Sequence, residues 1–428
     1  MDGYLVVLAF VVLFILGFPV VLAIAIPSFV YVFTKGLPID LLAQRTLYAL
    51  DSFPLVAVPV FLFVGSLMNS AGISRYIYRF ADTAAGRLPG GLAQVNIFGS
   101  LIFAGMSGSA LADIGGIGRI EIDAMKKKGF SVPFAAAVTS SSAIVGPIFP
   151  PSIPLIIYGT VTGVSVIQLL LGGILPGLFC VLMLMLMTGW LAMRRKYPRS
   201  DRWPTLAELW RDFKPAAPAI AAPVILIGGM LLGYFTPTEI ASVTVAYAIL
   251  ISSLFYRELT WRGVLDAAYE TIRASAGILL IVAAAALFGW ILSVEQVPQH
   301  LTGLMLSIST NPYVLLLIVN VLLLVVGMFL DSTTAILVIA PIIAKPLVAA
   351  GVDPVHLGMV VVFNLMIGLL TPPMGLALFL VADIAKVTMK EVLREMLPYY
   401  IPLAITLLLI TYVPAITTWI PRMAFGSP

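Results

Sequence analysis

Residues 4–33 carry no charged side chain, and apolar blocks of the same kind recur near 54–70, 92–112, 131–167, 168–193, 216–235, 238–256, 275–293, 312–330, 335–350, 355–385 and 396–420. A helix needs roughly 20 apolar residues to cross the hydrocarbon core of a bilayer, so these blocks confine the chain to an all-α polytopic membrane fold. A transmembrane barrel would alternate polar and apolar positions, which the blocks do not. Of the 428 residues, 61% are hydrophobic and 10% charged, too few polar side chains to coat a water-facing surface of that size. A soluble enzyme is excluded. The net charge of +4 comes from Lys and Arg scattered between apolar blocks, which fits loops facing anionic lipid rather than a nucleic-acid surface. Cys180 is the only cysteine, and the two histidines, His300 and His356, lie far apart, so neither a disulfide frame nor a Cys/His metal site is expected. The first block lacks the basic flank of a signal peptide and reads as the first membrane segment, long enough to bend at Gly17 to Pro19.

Charge sets the topology. The stretch from Arg194 to Lys214 holds seven basic residues, and the positive-inside bias places it in the cytoplasm. Its Leu206, Leu209, Trp210 and Phe213 would form the apolar stripe of a helix lying along the interface. A second basic stretch, Arg257 to Arg273, returns to the same side after two crossings. Arg75, Arg79 and Arg87, with Lys126 to Lys128, then share that side, so segment 92–128 must enter and leave on one face as a re-entrant hairpin. Its middle, GMSGSALAD (105–113), puts small residues and hydroxyls at membrane depth, where irregular backbone survives only if protein or a water-filled cavity surrounds it.

The chain matches itself at an offset of 222 residues. Gly105 and Met106 fall on Gly327 and Met328; Gly146, Pro150 and Pro151 fall on Gly368, Pro372 and Pro373. The repeats are expected over 1–215, with hairpin 92–128 and arm 194–214, and over 216–428, with hairpin 312–350. Counting crossings inverts the second half in the membrane. Inverted repeats with broken helices at matching positions point to the binding site of a secondary transporter. Each Pro-Pro pair removes backbone donors and disfavours helix before it, freeing carbonyls near Gly146 to Phe149 and Gly368 to Thr371.

Hard cations take oxygen ligands. One sodium is expected at Ser107, Ser109, Gly146 and Phe149, and another at Asp331, Thr333, Gly368, Thr371 and Met374. Asp331 stands out because a carboxylate in an apolar segment is costly and marks function. Helix N-termini at the tips and after the Pro pairs suit an anionic substrate, expected among Gly108, Ser109, Ser152, Ser332, Thr334 and Pro373. Asp113 reads as part of a structural network with Arg119 and Glu121. Glu239 reads as a helix cap with Thr236, and Gly228, Gly229 and Gly233 as close helix packing. No GxxxxGK[ST] loop occurs, so ATP is not the energy source within the chain.

The motifs PVFLFVGSLMNSAGI (59–73), LPGGLAQVN (88–96), MSGSALAD (106–113), GPIFPPSIPLIIYG (146–159), GYFTPTEIASVTVAY (233–247), GMFLD (327–331) and TPPMGLALF (371–379) resemble, in order and over nearly the whole chain, the large membrane subunit of TRAP transporters, the tripartite ATP-independent periplasmic family. The resemblance implies a sodium-coupled permease of the bacterial inner membrane that imports an organic acid. It implies two partners, a small four-helix membrane subunit and a periplasmic substrate-binding protein. It also implies an elevator mechanism, with a transport domain of about 90–167 and 312–385 moving against a scaffold. The family's two sodium sites map onto the two sets named above, with Phe329 standing where a polar residue opposite Ser107 would be expected. Alternatives are a single-component carboxylate elevator and, more remotely, an intramembrane aspartyl protease pairing Asp113 with Asp331, although no GxGD-type motif occurs.

Overall fold

In the computed structural model, which describes residues 2–199 and 202–426, every regular element is helical. The first half runs α1 (Gly3–Ile15), α2 (Val20–Thr34), α3 (Asp40–Leu50), α4 (Phe53–Ser70), α5 (Ser74–Ala85), α6 (Leu92–Ser107), a short α7 (Ala110–Asp113) continued by a π-turn (Ile114–Gly118) into α8 (Arg119–Lys127), then α9 (Val132–Ala143), α10 (Ile153–Thr162), α11 (Val166–Gly172) and α12 (Ile174–Arg195). The second half runs α13 (Leu206–Leu231), α14 (Pro237–Leu250), α15 (Trp261–Val294), α16 (Val297–Ile308), α17 (Pro312–Phe329), α18 (Ser332–Ala349), α19 (Pro354–Gly368), α20 (Leu376–Ala385), α21 (Met389–Met396), α22 (Tyr400–Tyr412) and α23 (Ala415–Phe425). Among the described residues, eight helical stretches are long and apolar enough to cross a membrane. At the 222-residue offset α5, α6, α7, α9, α10 and α11 start within two residues of α16, α17, α18, α19, α20 and α21.

Local chemistry explains these boundaries. Helix α6 stops at Gly108, whose left-handed φ of +62° ends the ladder, and Ser109 caps α7 by accepting the Ala112 N–H. Leu330 is extended after α17, and Asp331 caps α18 by accepting the Thr334 N–H. Pro133 and Pro354 sit at the first turns of α9 and α19, where a missing N–H costs nothing. Both helices end shortly before proline-rich breaks, and the Pro150–Pro151 and Pro372–Pro373 bonds are both cis. The capping box of Thr236 and Glu239 starts α14. Gly229 lies against Ile240, where a Cβ would approach to 2.5 Å, whereas Gly228 and Gly233 have no such neighbour. Cys180 is fully buried in the core.

Two expectations change. Block 4–33 forms two helices that fold back on each other, because Gly17 (φ +85°) and Pro19 end one and start the next. With 13 and 15 residues they reach about 20 and 23 Å, short of the ~30 Å hydrocarbon core. The basic arms are not separate interfacial helices: α13 joins arm and span, and α15 does so over 34 residues, a rod of about 51 Å. Positions 200 and 201 of the first arm lie outside the described residues. Leu206 and Trp210 are largely exposed on α13, as lipid contact requires, while Asp212 is buried. Asp212 receives Arg79 at 2.9 Å and the Thr83 hydroxyl at 2.7 Å, and Glu258, just before α15, pairs with Arg75 and Tyr76. Helix α5 thereby ties both arms to the hairpin helix α6 beside it.

The α1–α2 pair is pinned at the end of α15. Glu295 accepts the Tyr31 hydroxyl at 2.6 Å and the Gly3 N–H at 3.3 Å and pairs with Lys35 at 3.1 Å. The bonds from Tyr31 and Lys35 hold its carboxyl below the usual carboxylate range. A lowered acid stabilises the fold above its ordinary titration range and loses that contribution as pH falls through the lowered value. Glu295→Gln is expected to weaken docking of the pair by about 1–3 kcal/mol at neutral pH. Hydrogen exchange of α1–α2 amides should show faster opening in the variant, and the difference should vanish in acid.

Candidate functional site

The two hairpin tips meet. Gly108 and Ser109 of the first tip and Asp331, Ser332 and Thr333 of the second line one cavity of about 190 Å³, with Pro147, Ile153 and Pro154 from the first broken helix. Leu62 of α4 and Ala274 and Ile278 of α15 wall it on the other side. The cavity therefore opens at the N-termini of α10 and α18. The first N–H groups of α10 are taken by the Gly108 carbonyl and the Ser152 side chain and carbonyl, which leaves the Ser332 and Thr333 N–H groups of α18 and the helix dipoles to favour negative charge.

Each tip is seated on a break by backbone. The Gly108 carbonyl accepts the Ile153 N–H at 3.4 Å, and the Met328 carbonyl accepts the Gly375 N–H at 3.3 Å. Gly108 is required twice over: its φ is left-handed, and a Cβ would stand 2.5 Å from the Pro151 carbonyl oxygen. Gly108→Ala is expected to lift the tip off the break at a cost of about 1–3 kcal/mol, read as a lower unfolding midpoint of the detergent-solubilised protein.

The first expected sodium set gathers around a residue that the sequence reading set aside. The Ser107 hydroxyl donates to Asp113 Oδ1 at 2.5 Å and accepts the Ser109 N–H at 3.4 Å. Asp113 Oδ2 is buried without a hydrogen-bond partner and lies against Gly146, where a Cβ would approach it to 2.8 Å. No backbone hydrogen bond outside the helices reaches the Gly146 or Phe149 carbonyl among the described residues, while the Phe149 side chain packs on Gly177. The expected network of Asp113 with Arg119 is absent: Arg119 is exposed and makes no ion pair with it. A carboxylate six residues after Ser107 in a re-entrant segment was the available signal, by the cost argument that singled out Asp331.

The second set is less gathered. Asp331 and Thr333 face the cavity, and the Asp331 carboxylate accepts the Thr334 N–H at 3.2 Å and the Thr334 hydroxyl; each oxygen keeps a further lone pair. Gly368 touches Gly327 backbone to backbone, and its carbonyl accepts the Thr371 N–H at 2.9 Å, so it is not free as expected. The Thr371 hydroxyl donates to the Ile367 carbonyl at 2.7 Å, leaving the Thr371 carbonyl beside Gly375. Met374 is 42% exposed. Of the expected substrate residues, Gly108, Ser109 and Ser332 line the cavity. Ser152 and Thr334 do not: both are fully buried, with hydroxyls given to the Pro147 carbonyl and to Asp331. Pro373 is exposed and outside it. Leu62 and Pro147 fall inside the motifs at 59–73 and 146–159 without a role assigned to them, and the α15 wall at Ala274 and Ile278 carries no sequence signal. Asp113 and Asp331 line different cavities and bond to different hydroxyls, so no shared-proton dyad exists.

Two helix–tip–helix hairpins thus close on one cavity inside a shell of membrane-length helices, and the family and relatives that the chain matches are transport proteins rather than enzymes. The family described as "Tripartite ATP-independent periplasmic transporter, DctM component" matches residues 7–416, and the chain belongs to it. It is 42% identical to the sialic acid TRAP transporter large permease protein SiaM of Vibrio cholerae serotype O1, over 92% of each chain. It is 37% identical to the sialic acid TRAP transporter permease protein SiaT of Haemophilus influenzae, over 98% of this chain and 68% of that one. It is 32% identical to the C4-dicarboxylate TRAP transporter large permease protein DctM of Vibrio cholerae, over 96% of each. Its fold matches the crystal structure of the Alcanivorax borkumensis YdaH transporter with a TM-score of 0.58, covering 93% of this chain and 90% of that one at 17% identity. The chain is a multi-pass permease of the bacterial inner membrane.

Proposed function

We propose that this chain is the sodium- and substrate-translocating subunit of a tripartite system that imports an organic acid. The observation that carries the reading is the single cavity shared by both tips, in which Ser109 and Asp331, equivalent positions of the two halves, each cap a helix. The relatives named for sialic acid and C4-dicarboxylates suit a carboxylate cargo, and the first N–H groups of α18 at Ser332 and Thr333 offer its charge a counterpart. One sodium lies among Ser107, Ser109, Asp113 and the Gly146 and Phe149 carbonyls; the other lies near Asp331, Thr333 and the Thr371 carbonyl. Sodium shared between tip and break holds the tip closed, which completes the cavity wall, so each ligand raises affinity for the other by the same factor.

The two hairpins with α9–α10 and α19–α20 form the moving body, and α4, α13, α14 and α15 the scaffold, with α5 transmitting force from the arms. The halves sit inverted in the membrane. A periplasmic binding protein delivers the acid, and a small membrane subunit covers part of the exposed apolar shell. The test is uptake into proteoliposomes holding all three components, with an inward sodium gradient and an organic-acid panel spanning sialic acid and C4-dicarboxylates. Accumulation that needs both the gradient and the binding protein is expected. Uptake by this chain alone, or indifference to sodium, would overturn the reading.

A further inference from the structure

The first hairpin contains a polar cluster that its counterpart lacks. Glu121 on α8 is 3% exposed, and among the described residues no donor or cation pairs with it. With Asp113, Ser100 and Thr139 it lines a closed space of about 10 Å³, at the lower limit for one water molecule. Neighbouring donors are spent elsewhere: Ser100 donates to Ser142 at 3.0 Å, Ser142 to Asn96 at 2.8 Å, and Asn96 to Thr139 at 2.7 Å. The polar atoms facing the space are oxygens, including two carboxylates, with the Thr139 hydroxyl proton the donor not given elsewhere.

At the 222-residue offset Ser100, Asp113, Glu121 and Thr139 fall on Leu322, Ala335, Ile343 and Val361. The second half thus builds the same hairpin and helix with apolar residues, and the fold does not require the cluster. Burying two carboxylates that receive one hydroxyl donor between them, Ser107 on Asp113, is costly unless positive charge accompanies them. We propose that Glu121, Asp113, Ser100 and Thr139 form a further site for a desolvated sodium ion, between the first sodium position and the basic end of α8 at Lys126 to Lys128. Ionisable groups facing Glu121 are Asp113 and, from α5, Tyr78, whose buried hydroxyl also has no partner. Helices α6 and α9 contribute none, and Asp383 of α20 is exposed and paired with Lys386.

The inference rests on the reading of the chain as a cation-coupled permease, and the test separates the two. Reversal potentials of substrate-driven currents are measured in proteoliposomes of the complete system, in one arm against a sodium gradient and in the other against a pH gradient. Glu121→Gln is expected to lower the charge moved per substrate by one in the sodium arm; a loss confined to the pH arm would overturn the sodium site. Ser100→Ala, which removes one oxygen without stranding a charge, is expected to raise the half-saturating concentration of that cation about tenfold. If Glu121→Gln is folded but silent, tryptophan-fluorescence titration of the purified protein with sodium should show one binding event fewer than wild type. Unchanged reversal potentials, or an unchanged number of binding events, overturn the site. A wild type that couples to neither gradient overturns the broader reading instead.

Discussion

Asp331→Ala is expected to abolish sodium-driven uptake by the reconstituted system, at least 100-fold, or about 2.7 kcal/mol of lost coupling. Two roles meet in this side chain. It caps α18 through Thr334, and alanine at such a position costs about 1 kcal/mol of helix stability. It also brings a carboxylate to the shared cavity, where a charge in a membrane interior is retained only for function. Asp331→Asn separates the two, since asparagine caps as well as aspartate but carries no charge. The asparagine variant should fold with a wild-type unfolding midpoint, gain less stability than wild type on adding sodium, and transport as poorly as the alanine variant. Wild-type uptake by Asp331→Asn would reduce Asp331 to a cap and remove it from the sodium site.

The sequence was most legible where backbone chemistry leaves no choice. Gly108, the Pro-Pro pairs and Gly368 act through steric rules that hold in any surroundings, so tips and breaks lie where the 222-residue register put them. Features decided by packing were hidden. Nothing local distinguishes an arm lying in the interface from the first turns of a rod such as α15, because both are amphipathic and basic. The amphipathic helices α3, α5 and α16 were lost between apolar blocks for the same reason. Asp113 shows how a small geometric change defeats pattern reading. In an ordinary helix from Ala110 onward Arg119 and Glu121 would stand about 120° and 80° away from Asp113, but the π-turn at Ile114–Gly118 admits an extra residue and rotates everything after it by about 100°, which brings Glu121 onto the Asp113 face. Arg119 therefore faces outward while Glu121 turns into the core. The sequence IGGIG permits that turn without announcing it.

The repeat makes a second large effect testable by one substitution at two equivalent places. Gly146 and Gly368 occupy the same register position, yet a Cβ meets different obstacles. At Gly368 it would lie 2.6 Å from the Cα and carbonyl carbon of Gly327, which are backbone atoms of α17 and cannot yield unless the hairpin arm parts from α19. At Gly146 the nearest atom is Asp113 Oδ2 at 2.8 Å, the end of a side chain that can rotate away. Gly368→Ala is thus expected to lose several kcal/mol through overpacking against rigid backbone and to fail to yield a monodisperse peak on size exclusion. Gly146→Ala should remain folded but push the Asp113 carboxylate off Ser107, raising the half-saturating sodium concentration at least tenfold, about 1.4 kcal/mol. Equal folding defects in both variants would mean that Asp113 is held as rigidly as backbone and is a structural group. A folded Gly146→Ala with unchanged sodium dependence would place the first sodium away from Asp113. Only the split outcome fits a first repeat whose break serves an ion and a second whose break also locks the hairpin in place.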